Sequence, residues 1–163
     1  LYDVWQALEK NGLGEANIGF ITDIVACPGL DYCALANARS IPIAQKLSAR
    51  FANPELQENI GTLRINISGC INACGHHHAG HIGILGVDKR GEEFFQLTLG
   101  GLAENDVAIG QIIGPALPED ETVDAIARLI DTYLVLRNEG EAFIDTYRRL
   151  GAASFKDAVY APA

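Results

Sequence analysis

Four cysteines in two closely spaced pairs are the residues of this chain best suited to chemistry. Cys27 and Cys33 have five residues between them, and Cys70 and Cys74 have three. Four soft thiolates select either zinc or an iron–sulfur cluster. Disulfides are typical of small secreted chains, whereas a chain of 163 residues buries enough apolar surface without them. We therefore expect a metal site in a reducing compartment, namely the cytoplasm.

Each cysteine pair follows a segment with the pattern of a β-strand. Residues 18–26 (IGFITDIVA) are rich in β-branched and aromatic side chains and run into Cys27. Residues 62–68 (TLRINIS) alternate between apolar and polar side chains ahead of Cys70. Two strands that end at the same edge of one sheet would bring the four thiols to one place.

The spacing of the cysteines favours a cluster over zinc but leaves both open. Structural zinc sites have about two to four residues between paired ligands, in small loops that need the metal to fold. The gap between Cys27 and Cys33 is longer, and the surrounding segments predict a sheet and helices that fold without metal. Buried cysteines with no ligand role are the third possibility.

The residues around the second pair carry a resemblance to a known family. The segment 68–75 (SGCINACG), preceded by the Cys27-x5-Cys33 pair, resembles the siroheme and [4Fe-4S] motif of the sulfite and nitrite reductases. Ile71 departs from the family pattern, in which proline is commoner, but it lies between ligands and should not prevent coordination. The resemblance extends over residues 18–114.

This resemblance implies a role for each motif residue. Cys27, Cys33, Cys70 and Cys74 match the cluster ligands, Cys74 also matches the bridge to the siroheme iron, and Asn72 matches a residue close to the siroheme. It implies an assimilatory sulfite reductase, which reduces sulfite to sulfide by six electrons, with reduction of nitrite to ammonia as the alternative. An electron-donor protein or a flavoprotein subunit would supply the electrons. A cluster-only electron-transfer module and a zinc-stabilised interaction domain are the competing classes.

The charge balance limits the partners that we expect. Acidic residues outnumber basic ones 21 to 12, which disfavours binding to nucleic acid and to anionic membranes. No apolar run approaches the ~18 residues of a membrane helix. Arg39 and Arg64 are the isolated basic residues near the motifs, and the chain contains no methionine. We therefore expect residues 1–163 to be a single cofactor domain from a longer enzyme, inactive without the N-terminal half that supplies the basic anion pocket.

The remaining patterns predict an α+β fold (α/β in the broad sense), with a mixed sheet flanked by helices. We expect a hairpin between residues 81–87 and 93–99 and a further strand at 107–113. Residues 3–10, 40–51, 118–137 and 141–150 have helical patterns. Three aromatic residues are expected in the core: Trp5, Tyr133 and Tyr147.

A run of histidines follows the last cysteine closely. His76, His77, His78 and His81 are all within seven residues of Cys74. Consecutive histidines cannot all face one metal from a regular element, so we favour surface or structural roles. Proton supply and contact with siroheme carboxylates are the open alternatives.

Overall fold

The computed structural model describes residues 1–104 and 106–160, and in these residues six strands form one sheet accompanied by six α-helices. The strands are β1 (Val25–Ala26), β2 (Ile65–Ser68), β3 (Ile82–Lys89), β4 (Glu92–Leu99), β5 (Gln111–Ile112) and β6 (Leu117–Pro118). The helices are α1 (Tyr2–Lys10), α2 (Ile41–Arg50), α3 (Pro54–Ile60), α4 (Glu119–Leu136), α5 (Phe143–Leu150) and α6 (Ala152–Tyr160). No helix within the described ranges is both long enough and apolar enough to cross a bilayer.

The sheet is mixed, as the sequence predicts. Strands β1, β2 and β3 are parallel neighbours, β4 runs antiparallel to β3, and both β5 and β6 pair antiparallel with β4. The predicted β3–β4 hairpin is confirmed and closes through Arg90 and Gly91. Both residues have positive φ angles, 60° and 86°, which the two-residue turn needs to match the strand twist.

The core packs against the sheet and takes side chains from helices α2 to α6. Tyr133, Phe143 and Phe155 are buried there with ring centroids 5.4 to 5.7 Å apart. The hydroxyl of Tyr133 lies 2.9 Å from the carbonyl oxygens of Ile60 and Glu141, so its polar end is satisfied inside the core. The prediction that Tyr133 is a core residue is confirmed.

Two predicted strands are much shorter in the structure. Residues 18–24 form turns, with the backbone N–H of Phe20 donating to Asn17 and that of Asp23 donating to Phe20. Only Val25–Ala26 is a strand there, since tight turns compete with extended pairing. Likewise 107–113 contributes only Gln111–Ile112 and one isolated bridge.

The prediction that Trp5 is a core residue is wrong. Three elements of the structure were not predicted from the sequence. Trp5 is 51% exposed, and no residue of α1 is buried in the described structure. The missed elements are α3, α6 and β6. Helix α3 begins at a signal that was available, because the side chain of Asn53 accepts the backbone N–H groups of Glu55 and Leu56.

Candidate metal centre

The two cysteine loops leave the sheet at the same edge. Strands β1 and β2 are parallel and in register, with Ala26 opposite Ile67. The backbone N–H of Cys27 donates to the carbonyl of Ile67 at 3.1 Å, so the first loop starts beside the end of β2. Cys70 follows Ser68 by two residues. The predicted meeting of the two strand ends is therefore present in the fold.

The thiol of Cys27 contacts both the second loop and Ser40, the residue before helix α2. Its Sγ accepts the backbone N–H of Gly69 at 3.1 Å and lies 3.5 Å from Oγ of Ser40. Burial raises the pKa of the Cys27 thiol, but the hydrogen bonds with Ser40, Gly69 and Gly29 together outweigh burial and leave the pKa below its ordinary value. Because the thiolate is the form that binds metals, these contacts favour the form of Cys27 that the predicted ligand role needs.

Glycines beside the cysteines allow the two loops to pack closely. A Cβ at Gly75, directly after Cys74, would lie 1.9 Å from the carbonyl oxygen of Ile67. A Cβ at Gly69, directly before Cys70, would lie 2.6 Å from the carbonyl oxygen of Ala38. Neither position has room for a side chain, and the sequence signal for this packing is a glycine next to each cysteine of the second pair.

The other cysteines are held by short turns within the same loops. The backbone N–H of Cys33 donates to Gly29 at 2.9 Å, and that of Ala73 donates to Cys70 at 3.1 Å. All four cysteines are free thiols. Cys70 is buried, whereas Cys74 is exposed, as is the neighbouring Asn72. The donor set fits an iron–sulfur cluster chemically, and the role of each cysteine and of Asn72 stays a prediction.

The described part of the chain does not gather the four thiols into a tight group. Zinc needs its four ligands around one atom, with Zn–S distances of about 2.3 Å. Within residues 1–104 and 106–160, no three side chains of His, Cys, Asp or Glu are grouped for one metal ion. A four-iron cluster separates its thiolates by its own width, so it does not require such a tight group.

Apolar side chains are exposed around the cysteines. Tyr32, Leu35 and Ile71 lie on the two cysteine loops, and Ile71 is 81% exposed. Sequence reasoning missed these residues as a group because each is unremarkable by itself. We call these three exposed apolar side chains the apolar rim.

Both arginines near the motifs are paired with carboxylates. The guanidinium of Arg39 donates to Glu93 at 2.9 Å, and that of Arg64 lies 3.0 Å from Glu104. The positive charge of Arg39 is therefore balanced within the chain, as is that of Arg64.

Two of the four histidines are buried. His77 and His81 are buried, and Nδ1 of His81 accepts the backbone N–H of Arg64 at 3.3 Å. The ring of His81 stacks on Phe143 with centroids 6.5 Å apart. Burial lowers the pKa of both histidines, and Arg64 lowers that of His81 further. Nδ1 of His77 and Nε2 of His81 have no hydrogen-bond partner among the described residues.

Comparisons with known proteins identify the family of this chain. Residues 19–163 match the family model described as "Nitrite and sulphite reductase 4Fe-4S domain". The chain is 32% identical to Sulfite reductase [ferredoxin] 2 of Mycolicibacterium paratuberculosis, covering 88% of this chain and 27% of the relative. It is 31% identical to the assimilatory ferredoxin-dependent nitrite reductase of Haloferax mediterranei, covering 83% and 23% respectively. The chain thus spans about a quarter of the length of these relatives.

A solved structure gives the same picture of the fold. The NirA protein of Mycobacterium tuberculosis superposes with a TM-score of 0.77 at 25% identity, over 94% of this chain and 30% of that one. The agreement extends to the mixed sheet with its flanking helices. The chain therefore belongs to the nitrite and sulphite reductase 4Fe-4S domain family, whose cofactors are the predicted [4Fe-4S] cluster and siroheme.

Proposed function

We propose that this chain is the cofactor-holding domain of a longer assimilatory sulfite reductase that acts in the cytoplasm. The observation that carries the proposal is the contact between the two cysteine loops, in which Gly69 N–H reaches Sγ of Cys27 at 3.1 Å. This contact joins two motifs that are 42 residues apart, within a chain of the matching family. Four free thiols suit a reducing compartment.

In this proposal each motif residue has a stated role. Cys27, Cys33, Cys70 and Cys74 would hold the [4Fe-4S] cluster, and Cys74 would also serve as the ligand shared with the siroheme. Asn72 would contribute to holding the siroheme. The exposure of Cys74 and Asn72 supports this assignment, because residues that contact a large macrocycle must be accessible at the surface.

The two cofactors supply the six-electron reduction of sulfite to sulfide when they are bound. The contribution of this chain is to hold and orient them. Its apolar rim (Tyr32, Leu35 and Ile71) excludes water from the cysteine loops when another surface covers it. The anion itself needs preorganised positive charge. We assign that charge to the preceding half of the polypeptide, because Arg39 and Arg64 are already paired with carboxylates. A ferredoxin or a flavoprotein subunit delivers the electrons.

Nitrite reduction is the second candidate. A relative at 31% identity is named a nitrite reductase, and the cysteine motifs do not discriminate between the two anions. The deciding test is turnover by the full-length enzyme, comparing kcat/KM for sulfite and for nitrite with the same artificial donor. A higher kcat/KM for nitrite would overturn the assignment to sulfite.

The cofactor assignment has its own test. The purified full-length protein should contain about five iron per chain, four from the cluster and one from the siroheme, and about four sulfide, together with a strong Soret band. Iron and sulfide without a Soret band would indicate a cluster-only electron-transfer module. Zinc in place of iron would indicate the interaction-domain alternative.

The bridging role of Cys74 predicts an asymmetry between two cysteine variants. Cys74→Ser in the full-length enzyme should perturb the siroheme spectrum more than Cys27→Ser does, since a hydroxyl is a poor ligand for soft iron. Absorption and electron paramagnetic resonance (EPR) spectra measure the difference. If both variants change the siroheme spectrum equally, the result would contradict a bridging role that is particular to Cys74.

The division of labour between the two halves predicts that residues 1–163 alone do not turn over. After reconstitution of the cofactors, this chain should reduce neither sulfite nor nitrite with an artificial donor, because the chain carries a net charge of −9. Adding the N-terminal half should restore activity. Turnover by the chain alone would place the anion site within these residues.

A further inference from the structure

We propose that Ser40 is a positioning residue for Cys27, whose hydroxyl donates a hydrogen bond to the cluster-bound thiolate and raises the reduction potential of the cluster. The inference rests on the proposed function, because it takes Cys27 as a cluster ligand. Ser40 lies outside both cysteine motifs, 13 residues after Cys27.

The position of Ser40 on its helix indicates that its hydroxyl serves another purpose than capping. Ser40 is the residue before helix α2, where a serine oxygen normally accepts a backbone N–H of the first turn. Here the side chain makes no capping hydrogen bond with any described residue, and its φ and ψ of −89° and −34° are already helical. Its Oγ lies instead 3.5 Å from Sγ of Cys27.

The direction of this hydrogen bond follows from the charge of the ligand. A metal-bound cysteine is a thiolate, which has no proton to donate. Ser40 must therefore donate and Cys27 accept. The sulfur of Cys27 thus accepts the backbone N–H of Gly69 in the second cysteine loop at 3.1 Å and the hydroxyl of Ser40, the residue before helix α2, at 3.5 Å.

The segment that leads into Ser40 is tied to both cysteine loops. We call residues 37–40 the strap. The backbone N–H groups of Asn37 and Ala38 donate to the carbonyl of Gly69 at 2.8 and 3.0 Å, and the carbonyl of Ala38 accepts the N–H of Leu30 at 3.1 Å. The strap thus connects the first loop to the second through its own backbone.

The strap is also fixed from its outer side. The backbone N–H of Arg39 donates to Glu93 on β4 at 2.6 Å, and its guanidinium donates to the same carboxylate. On the inner side, a Cβ at Gly29 would lie 2.5 Å from the nitrogen of Ser40, and one at Gly69 would lie 3.1 Å from its Oγ. Ser40 is fully buried, so its hydroxyl is held against Cys27 by packing on every side.

A donor at this position acts on the redox equilibrium of the cluster. Reduction adds negative charge that the ligand sulfurs share, so a hydrogen bond to sulfur stabilises the reduced state more than the oxidised state. Removing the Ser40 hydroxyl should therefore shift the midpoint potential to a more negative value.

The experiment is an EPR-monitored redox titration of the cluster in the holoenzyme. Three variants are compared with the wild type: Ser40→Ala, which lacks the donor; Ser40→Thr, which keeps it; and Ser48→Ala, a serine on the same helix about 12 Å further along its axis. We expect a more negative midpoint potential for Ser40→Ala only. A Ser40→Ala enzyme with a full cluster and the wild-type potential would overturn the inference.

If Ser40→Ala loses the cluster, its potential cannot be measured, and the Ser40→Thr variant then tests the inference. A Ser40→Thr enzyme that contains the cluster and has the wild-type midpoint potential supports the hydroxyl as the positioning group. Loss of the cluster from Ser40→Thr as well would show that side-chain volume matters and not the donor, which contradicts the inference. A failure of the proposed function is distinguished by iron and sulfide analysis of the wild type, which would then contain neither.

Discussion

The edge of the sheet that carries the cysteines and the face that carries helices α4 to α6 are built in different ways. The helical face buries large aromatic side chains, with Phe143 and Phe155 both fully enclosed. The cysteine edge consists of short loops with left-handed residues such as Ala73 and His76, and it exposes apolar side chains. Stability should therefore depend on the helical face, while cofactor binding should depend on backbone geometry at the edge. Substitutions can separate the two.

The largest effect on stability is expected from Phe143→Ala. Truncating a fully buried phenylalanine removes packing against Tyr133 and His81 and leaves a cavity, which costs about 3–5 kcal/mol. Denaturant unfolding measures the loss. Val135→Ala on the exposed side of α4 is the matched control, with an expected change within about 0.5 kcal/mol. Similar losses from both variants would contradict the division between core and surface.

At the cysteine edge, Gly75→Ala should lower stability less but abolish cluster binding. The new methyl would meet the carbonyl oxygen of Ile67, and the resulting shift of Cys74 should cost about 1–3 kcal/mol. Iron and sulfide analysis together with unfolding curves measure both effects. Ile71→Ala, at an exposed position in the same loop, should keep the cluster. A Gly75→Ala protein with a full cluster would argue against the role of close backbone packing.

A smaller effect, dependent on pH, is expected at the end of the helical face. Hydrogen bonds from Arg149, the backbone of Asn138 and Thr146 lower the pKa of Glu141 from 4.5 to about 2. Because the pKa is lower in the folded state, the stabilisation is complete above pH 4.5 and is lost as the pH falls towards 2. Glu141→Gln should therefore lower Tm at neutral pH, with the difference from wild type shrinking in acid. A Tm difference that is independent of pH would exclude this carboxylate as the cause.

The smallest effect is expected from His81, which stacks on Phe143 of the helical face and accepts the backbone N–H of Arg64. Burial lowers its pKa below the ordinary value of 6.5, so protonation is unfavourable in the folded state and stability should fall as the pH drops below that value. His81→Asn keeps an acceptor for Arg64 N–H and removes the titration. Tm measured on both sides of pH 6.5 should fall less in this variant than in the wild type. If the pH dependence of Tm is the same in His81→Asn as in the wild type, other groups cause it, and the buried His77 is the first candidate.

Local patterns predicted the strands and helices in which buried side chains recur at a regular spacing. Alternation at Leu63, Ile65 and Ile67 predicted buried positions, and all three are fully enclosed. The hairpin and α4 were predicted for the same reason, since a period of two or of 3.6 residues reports which face is buried. Residues 18–24 also have strand-forming side chains, but their backbone hydrogen bonds are made within turns, which side-chain type does not reveal.

The sequence by itself determined the chemistry, because the types and spacing of Cys27, Cys33, Cys70 and Cys74 define a soft donor set and carry the family resemblance. Only the tertiary structure decided what surrounds those thiols. The contacts of Cys27 with Ser40 and with Gly69 span 13 and 42 residues and exist because β1 pairs with β2 in one register. A chain's local preferences do not encode such pairing, since it depends on which distant surfaces bury each other when the whole domain folds.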